Sequence, residues 1–199
     1  MSMPRSLAAA ALVAALCAAT AWAAPSETAG TTATSGSVTV RSAGATSAAG
    51  PDTRLKPGDA IAVAAGARAT VRFEDGSTVD LVGPAEMSFI QLENGGRRVR
   101  LDSGTIARAD VRGVALEVQT PGGPSLVLQN AQATASVSGS TSTFAKTGGD
   151  YAKVWSNGAF TDLGASWSNA PKPAPAVAPA PAKPPVATAV QPAVHPSRD

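Results

Sequence analysis

From residue 36 onward the apolar positions of this chain recur at every second residue in short runs, and each run is closed by Gly, Pro, Asn or Asp. That is the pattern of half-buried β-strands separated by turns. It is clearest in Gly66–Phe89, GARATVRFEDGSTVDLVGPAEMSF, where Val71 and Phe73 alternate with polar neighbours and Val79 and Leu81 do so again after Glu74-Asp75-Gly76. Parity selects the turn if the two runs form a hairpin. A two-residue loop at Asp75-Gly76 would set Phe73 against Thr78 and Val71 against Asp80, sending the two apolar rows to opposite faces. A three-residue loop pairs Phe73 with Ser77 and Val71 with Val79, and puts Gly76 where a left-handed backbone is required. A β-arc, whose second run joins a different sheet, satisfies the same pattern, and both connectivities stay open at this point.

The flanking segments follow the same logic. Gly36–Val40 alternates as a strand, an Ala/Gly/Ser loop runs to about Pro51, and Leu55-Lys56-Pro57-Gly58-Asp59 has the Pro-Gly chemistry of a type II turn ahead of Ile61 and Val63. In Glu86–Leu92 the apolar residues Met87, Phe89, Ile90 and Leu92 break strict alternation, which predicts a bulge or a strand buried on both faces. Further strands are expected at Arg97–Leu101, Thr105–Val111, Val114–Val118, around Leu126 and Leu128, and at Phe144, with Gly-terminated turns at Asp102-Ser103-Gly104 and Gly148-Gly149-Asp150. Ala131–Val137 consists of small residues suited to a tightly packed coil, with a short helix as the other option. Tyr151–Trp155 and Ala159–Leu163 close the series around Asn157-Gly158. Val71–Val79 and Val99–Ala107 share an apolar pair, two turn residues, Gly and a β-branched strand, which favours a stack of similar strand-turn-strand units. The expected fold is all-β: a twisted β-solenoid-like or β-sandwich domain of short strands with Gly turns, over residues 36–168.

The two ends differ in composition. Residues 1–23 place Arg5 before an apolar run and end in Ala21-Trp22-Ala23, the layout of a secretory signal peptide cleaved after Ala23; the run is short beside the roughly 20 residues of a membrane span. An uncleaved anchor is the other reading. Residues 24–35, APSETAGTTATS, read as a flexible lead-in, and 169–199 as a disordered Pro/Ala-rich tail, nine of the last 30 residues being Pro. Cys17 is the only cysteine, so cleavage would leave a mature chain without disulfides or thiolate sites. Residues 24–169 carry 12 basic and 13 acidic side chains, a net of −1 that offers nothing to nucleic acid.

Catalytic chemistry is sparse. His195, the one histidine, lies in the Pro-rich tail, so no Ser-His-Asp, Cys-His or His-based zinc arrangement fits within the β-domain. Glu74, Asp75 and Asp80 are the densest acids, and they read as turn and surface residues, with a carboxylate-pair hydrolase as a distant alternative. No cofactor and no metal are expected. In the Arg97-Arg98-Val99-Arg100 run, Arg98 and Arg100 share the face opposite Val99 and Leu101. They are the candidate interaction face, suited to an envelope protein or an anionic cell-envelope polymer. Trp155 and Trp167 read as core or end-capping aromatics.

Taken in order, Gly36–Val40, Leu55–Asp59, Ala69–Leu81, Arg98–Ile106, Val118-Gln-Thr-Pro121, Val137–Thr141 and Phe144 resemble the pattern of FecR-like domains over residues 36–163. The resemblance implies a twisted, solenoid-like β-domain in the periplasm or outside the cell, which in family members serves signal transfer between an outer-membrane receptor and a sigma-factor system. The cytoplasmic helical segment, dedicated transmembrane helix and small α/β domain of those transducers have no counterpart here, so transfer across the inner membrane is not expected. The expected role is an exported, non-enzymatic binding, assembly or signalling-related module at the bacterial envelope, without a membrane span after signal cleavage. A structural envelope or matrix protein lacking a specific ligand is the alternative.

Overall fold

The computed structural model describes residues 29–93 and 96–170; the expected signal peptide and all but the first two residues of the Pro/Ala-rich tail lie outside them. No helix occurs among the described residues. Thirteen strands follow in chain order: β1 (Ala29–Ser35), β2 (Val38–Ser42), β3 (Ala45–Ala48), β4 (Arg54–Leu55), β5 (Ala60–Val63), β6 (Arg68–Phe73), β7 (Thr78–Glu93), β8 (Gly96–Val111), β9 (Leu116–Gln119), β10 (Ser125–Ser138), β11 (Thr141–Ser156), β12 (Ala159–Asp162) and β13 (Trp167–Ser168). They form one hydrogen-bonded sheet that does not close into a barrel, its main path ending at β3 and β12.

Four long strands fold that sheet into two layers. The first half of β7 pairs with β6 and its second half with β5, while β8 pairs with β9 through Arg97–Arg100 and with β10 through Gly104–Val111. The first layer is therefore β4–β1–β6, the opening of β7, the second halves of β8 and β10, the opening of β11, and β13. The second layer is β3–β2–β5, the second half of β7, the opening of β8, β9, the opening of β10, the second half of β11, and β12. One apolar cluster joins them, from Val71, Phe73 and Leu81 on one side to Met87, Phe89, Leu101 and Val118 on the other. Arg97 pairs in parallel with Leu116, so the chain completes one flattened coil between them, which matches the solenoid-like and sandwich-like expectation.

The layers meet along two long edges. At one, β7 and β8 cross between layers where the backbones nearly touch. A Cβ on Gly83 would lie 1.8 Å from the Ala64 carbonyl oxygen, and one on Gly104 would lie 2.2 Å from the Pro84 carbonyl oxygen. No side chain fits at either point, which is why glycine stands there. At the other edge the β6–β7 turn of the first layer faces the start of β8 and the 112–115 connection of the second.

The β6–β7 connection is the three-residue hairpin. Phe73 N–H donates to the Ser77 carbonyl at 2.9 Å, Val71 pairs with Val79, and Gly76 has φ of 84°. Its sequence cousin at Asp102-Ser103-Gly104 is not a turn but the bend inside β8, so two similar stretches do different work. Gly148-Gly149 likewise bends β11 instead of ending a strand. Residues 29–35, read as part of the flexible lead-in, form β1, because Ala29 and Thr31 face the core and the chain pairs with β6 throughout. Ala131–Val137 is strand, with Ala131, Ala133, Ala135 and Val137 inward. The broken alternation in β7 is a bulge between Phe89 and Gln91, which turns Ile90 outward to 40% exposure.

Candidate functional site

Alternation along β8 turns Arg97, Val99 and Leu101 inward and Arg98 and Arg100 outward. Arg97 is thus an arginine whose side chain is fully buried, and its partner is the Asp75 of the hairpin turn, Nη1 to Oδ2 at 2.9 Å. The guanidinium carbon also stands 4.7 Å from the Phe73 ring centroid. Asp75 Oδ1 accepts the Ser77 backbone N–H at 2.8 Å, and Oδ2 accepts the Val114 N–H at 3.2 Å and lies 2.9 Å from Ser77 Oγ. Ser77 Oγ in turn accepts the Arg112 N–H at 2.8 Å. Desolvation pushes the Asp75 carboxyl up, but Arg97 and the Ser77 and Val114 donors outweigh it, and the net displacement is below the ordinary carboxylate value. A carboxylate held ionised by that many donors is a poor general acid or base, so Asp75 fastens the two layers together. Asp80 accepts the Thr70 hydroxyl at 2.7 Å on the outer face of the first layer.

Arg98 and Arg100 lie where the sequence puts them, on the outer face of the second layer, and both are half-exposed. Each has an acid beside it: Arg98 Nε is 2.9 Å from Glu117 Oε2, and Arg100 Nε is 2.6 Å from Asp102 Oδ1. On the same face Arg41 meets Glu86 at 3.0 Å and Lys153 meets Asp162 at 3.5 Å. The cations of this face are therefore matched by acids, and its character is polar and mixed rather than cationic. Glu117 is pushed up by desolvation and further down by Gln119, Arg98 and Ser125, ending below the ordinary value.

Strand pairing draws these groups into two rows. One runs Arg98, Glu117, Val127, Lys153, Asp162; the next runs Arg100, Gln119, Ser125, Trp155, Phe160. The Trp155 and Phe160 rings meet with centroids 4.7 Å apart at 57°, and they remain 37% and 57% exposed. A depression of about 210 Å³ lies between them and Glu117, Ser125 and Val127. A second, about 240 Å³, is bounded by Arg98, Ala115, Gln91 and the same Glu117 and Val127. Their shared walls make one groove, charged at the Arg98 end and aromatic at the Phe160 end.

The aromatic end is what the sequence reading missed. Ala152 and Val154 are buried, so alternation alone turns Trp155 outward, away from the core position expected for it. Trp167 does cap the end of the domain, stacked on buried Phe144 with centroids 5.4 Å apart. No group of His, Cys, Asp and Glu able to hold a metal ion occurs among the described residues. In comparison with known proteins, a family model described as FecR protein matches residues 59–157. No curated protein and no solved structure matches the chain.

Proposed function

We propose that this chain, which is a FecR-like domain protein, works as an exported, non-catalytic interaction module of the bacterial envelope, and that the groove from Arg98 to Phe160 is its working surface. The family points to signalling or regulation and to association with the envelope. The observation that carries the reading is the Trp155–Phe160 pair. Phe73, Phe89 and Phe144 are buried to within 2%, whereas these two rings stand in the open and against each other on neighbouring strands, beside polar groups fixed by ion pairs; Tyr151, also exposed, has no aromatic ring paired with it among the described residues. Exposed aromatic anchors ringed by polar residues are the composition of recognition surfaces. Arg98 and Arg100 then serve in orientation: their acids hold them in place, and a ligand carboxylate or phosphate competes with Glu117 or Asp102 for the same fork.

The test is retention of the purified protein on isolated envelope fragments. Trp155→Ala with Phe160→Ala is expected to lower retention about tenfold, in line with the loss of two interface anchors, while the unfolding midpoint stays within a few degrees. Arg98→Glu with Arg100→Glu is expected to give a smaller loss that depends on salt. Retention that ignores both double variants would favour a matrix protein without a specific ligand and remove this reading.

A further inference from the structure

The first layer carries a second surface that owes nothing to the groove. Among the described residues, Arg41, Arg97, Arg98, Arg100, Arg108 and Arg112 each lie within 4 Å of a carboxylate. Arg54, Arg68 and Arg72 have no such partner there. Two of these three face each other by register: Gly30 of β1 pairs with Arg54 of β4 on one side and with Arg72 of β6 on the other. Residues directly opposite across a ladder share a face, so both arginines stand on the outer side of the layer with a residue lacking any side chain between them. Two strand spacings separate their backbones by about 10 Å; the Arg72 guanidinium lies beside the hairpin turn, Nη2 3.9 Å from where a Gly76 Cβ would stand, and a change of rotamer brings it back over Gly30 toward Arg54.

The gap is a real concavity. A cavity of about 480 Å³ has Gly30 and Thr31 in its wall, Arg54 and Arg72 on its flanks, and Asp52 and Glu74 also lining it. Among the described residues neither carboxylate forms an ion pair with these two arginines, and Glu74 is engaged by another group. Space alone does not demand glycine at position 30, since a Cβ there would meet only the Thr53 carbonyl oxygen, at an ordinary 3.7 Å. The bare strip is therefore open to a ligand, and a larger side chain can fill it.

We propose that Arg54 and Arg72 form a clamp for a phosphate group, seated over Gly30. A guanidinium fork takes two oxygens of an anion at once. A carboxylate has only two oxygens and is used up by one fork, whereas the tetrahedral oxygens of phosphate present pairs to two forks on opposite sides. Bound phosphate also relieves the repulsion between two cations that the fold sets opposite each other. The phosphate reaches the clamp either as a free solute or as part of a lipid headgroup.

The experiment follows the arginine Nε–Hε resonances of the full chain while inorganic phosphate is added, and then sedimentation with vesicles of phosphatidylglycerol against phosphatidylcholine alone. Binding in either arm is expected to weaken about tenfold in R54Q and in R72Q, the loss of one charge-assisted fork. Gly30→Leu keeps both charges and fills the strip, and is expected to weaken binding comparably with an unchanged unfolding midpoint. Arg68→Gln, on the same face of β6, is expected to bind as wild type does. No binding in either arm, an R68Q loss as large as that of R54Q, or unchanged binding by Gly30→Leu would each overturn the clamp. Because Trp155 and Phe160 lie on the opposite layer, their double variant should leave this binding untouched, so the two proposals stand or fall separately.

Discussion

The two long edges of the body hold the same pair of layers by different physics. Along one, β7 and β8 pass from layer to layer without interruption, and the contact is backbone on backbone at Gly83 and Gly104. Along the other, the chain crosses through 112–115 and at the β10–β11 bend by Asn130 and Gly149, but where the β6–β7 turn meets the start of β8 no strand runs through, and the join there is the buried Asp75–Arg97 pair with Ser77 and Val114 around it. The first edge fixes spacing through excluded volume and carries no charge. At its hairpin end the second fixes it through an ion pair that exists only while the carboxylate is ionised. One edge should therefore fail by volume at any pH, and the other by charge or acid.

The largest effect belongs to the glycine edge. Gly83→Ala would place a methyl carbon 1.8 Å from the Ala64 oxygen, and Gly104→Ala would place one 2.2 Å from the Pro84 oxygen on a backbone with φ of 90°. Neither neighbour is a flexible side-chain end, so the crossing itself must move. Urea unfolding of either variant is expected to show a loss of about 3 kcal/mol or more, from the backbone clash alone at Gly83 and from clash together with a left-handed backbone at Gly104. Gly66→Ala sets the scale: φ is 75° but nothing lies within 4 Å, so the conformational cost of about 1 kcal/mol stands alone. Equal losses at Gly66 and Gly83 would show that close approach is not what holds this edge.

Next comes the ion-pair edge. Asp75→Ala leaves the Arg97 guanidinium buried without its carboxylate, a situation that costs about 3–5 kcal/mol. Adding Arg97→Met removes the buried charge that Asp75 no longer balances and fills the space against Phe73, so the double variant is expected to be more stable than Asp75→Ala alone. If the double variant is the weaker of the two, Arg97 is held by its contact with Phe73 more than by Asp75, and the contrast between the edges is wrong as drawn.

The same pair sets a pH dependence. The folded Asp75 carboxyl lies below its unfolded value, so its contribution is complete above the unfolded carboxylate range and is lost as pH falls through that range toward the folded value. Asp110, held down first by its hydrogen bond from Arg112, and Glu117, held down on balance by Gln119 and Arg98, act in the same direction. The informative quantity is thus a difference. Unfolding free energy measured from pH 7 to pH 3 should fall less steeply in the Asp75→Ala, Arg97→Met double variant than in wild type. Identical slopes would mean that Asp75 titrates alike in both states.

What was legible in the sequence follows from which forces are local. The hairpin register could be read because parity in Val71, Phe73, Val79 and Leu81 admits one loop length once a hairpin is assumed. The inward aim of Arg97 was present in the same parity, beside Val99 and Leu101, but a charged residue type argues against burial until a partner from another strand is known. Gly76 and Gly104 follow nearly the same local sequence, and only the strand that each run later pairs with makes one a turn and the other a bend. β1 could not be read, since Ala, Gly and Thr carry little periodic signal and its pairing with β6 spans some forty residues. The groove was half legible: Arg98 and Arg100 came from one strand, while Trp155 and Phe160 reach them only through the strands laid between.

The smallest expected change in stability lies on neither edge, and its size separates fold from function. Trp155 and Phe160 are 37% and 57% exposed, and their rings meet on the outer face of the second layer. Replacing Phe160 by Ala gives up the aromatic contact and the partial burial of one ring, about 1 kcal/mol or less. A core ring shows the contrast: Phe144→Ala, fully buried beneath Trp167, should cost about 3–5 kcal/mol. A loss of 3 kcal/mol at Phe160 would mean that the pair closes the end of the sheet as Phe144 and Trp167 do. A loss near the lower figure, with diminished envelope retention, means that two large apolar rings are kept in water at little benefit to the fold, which is the energetic mark of a surface held ready for a partner.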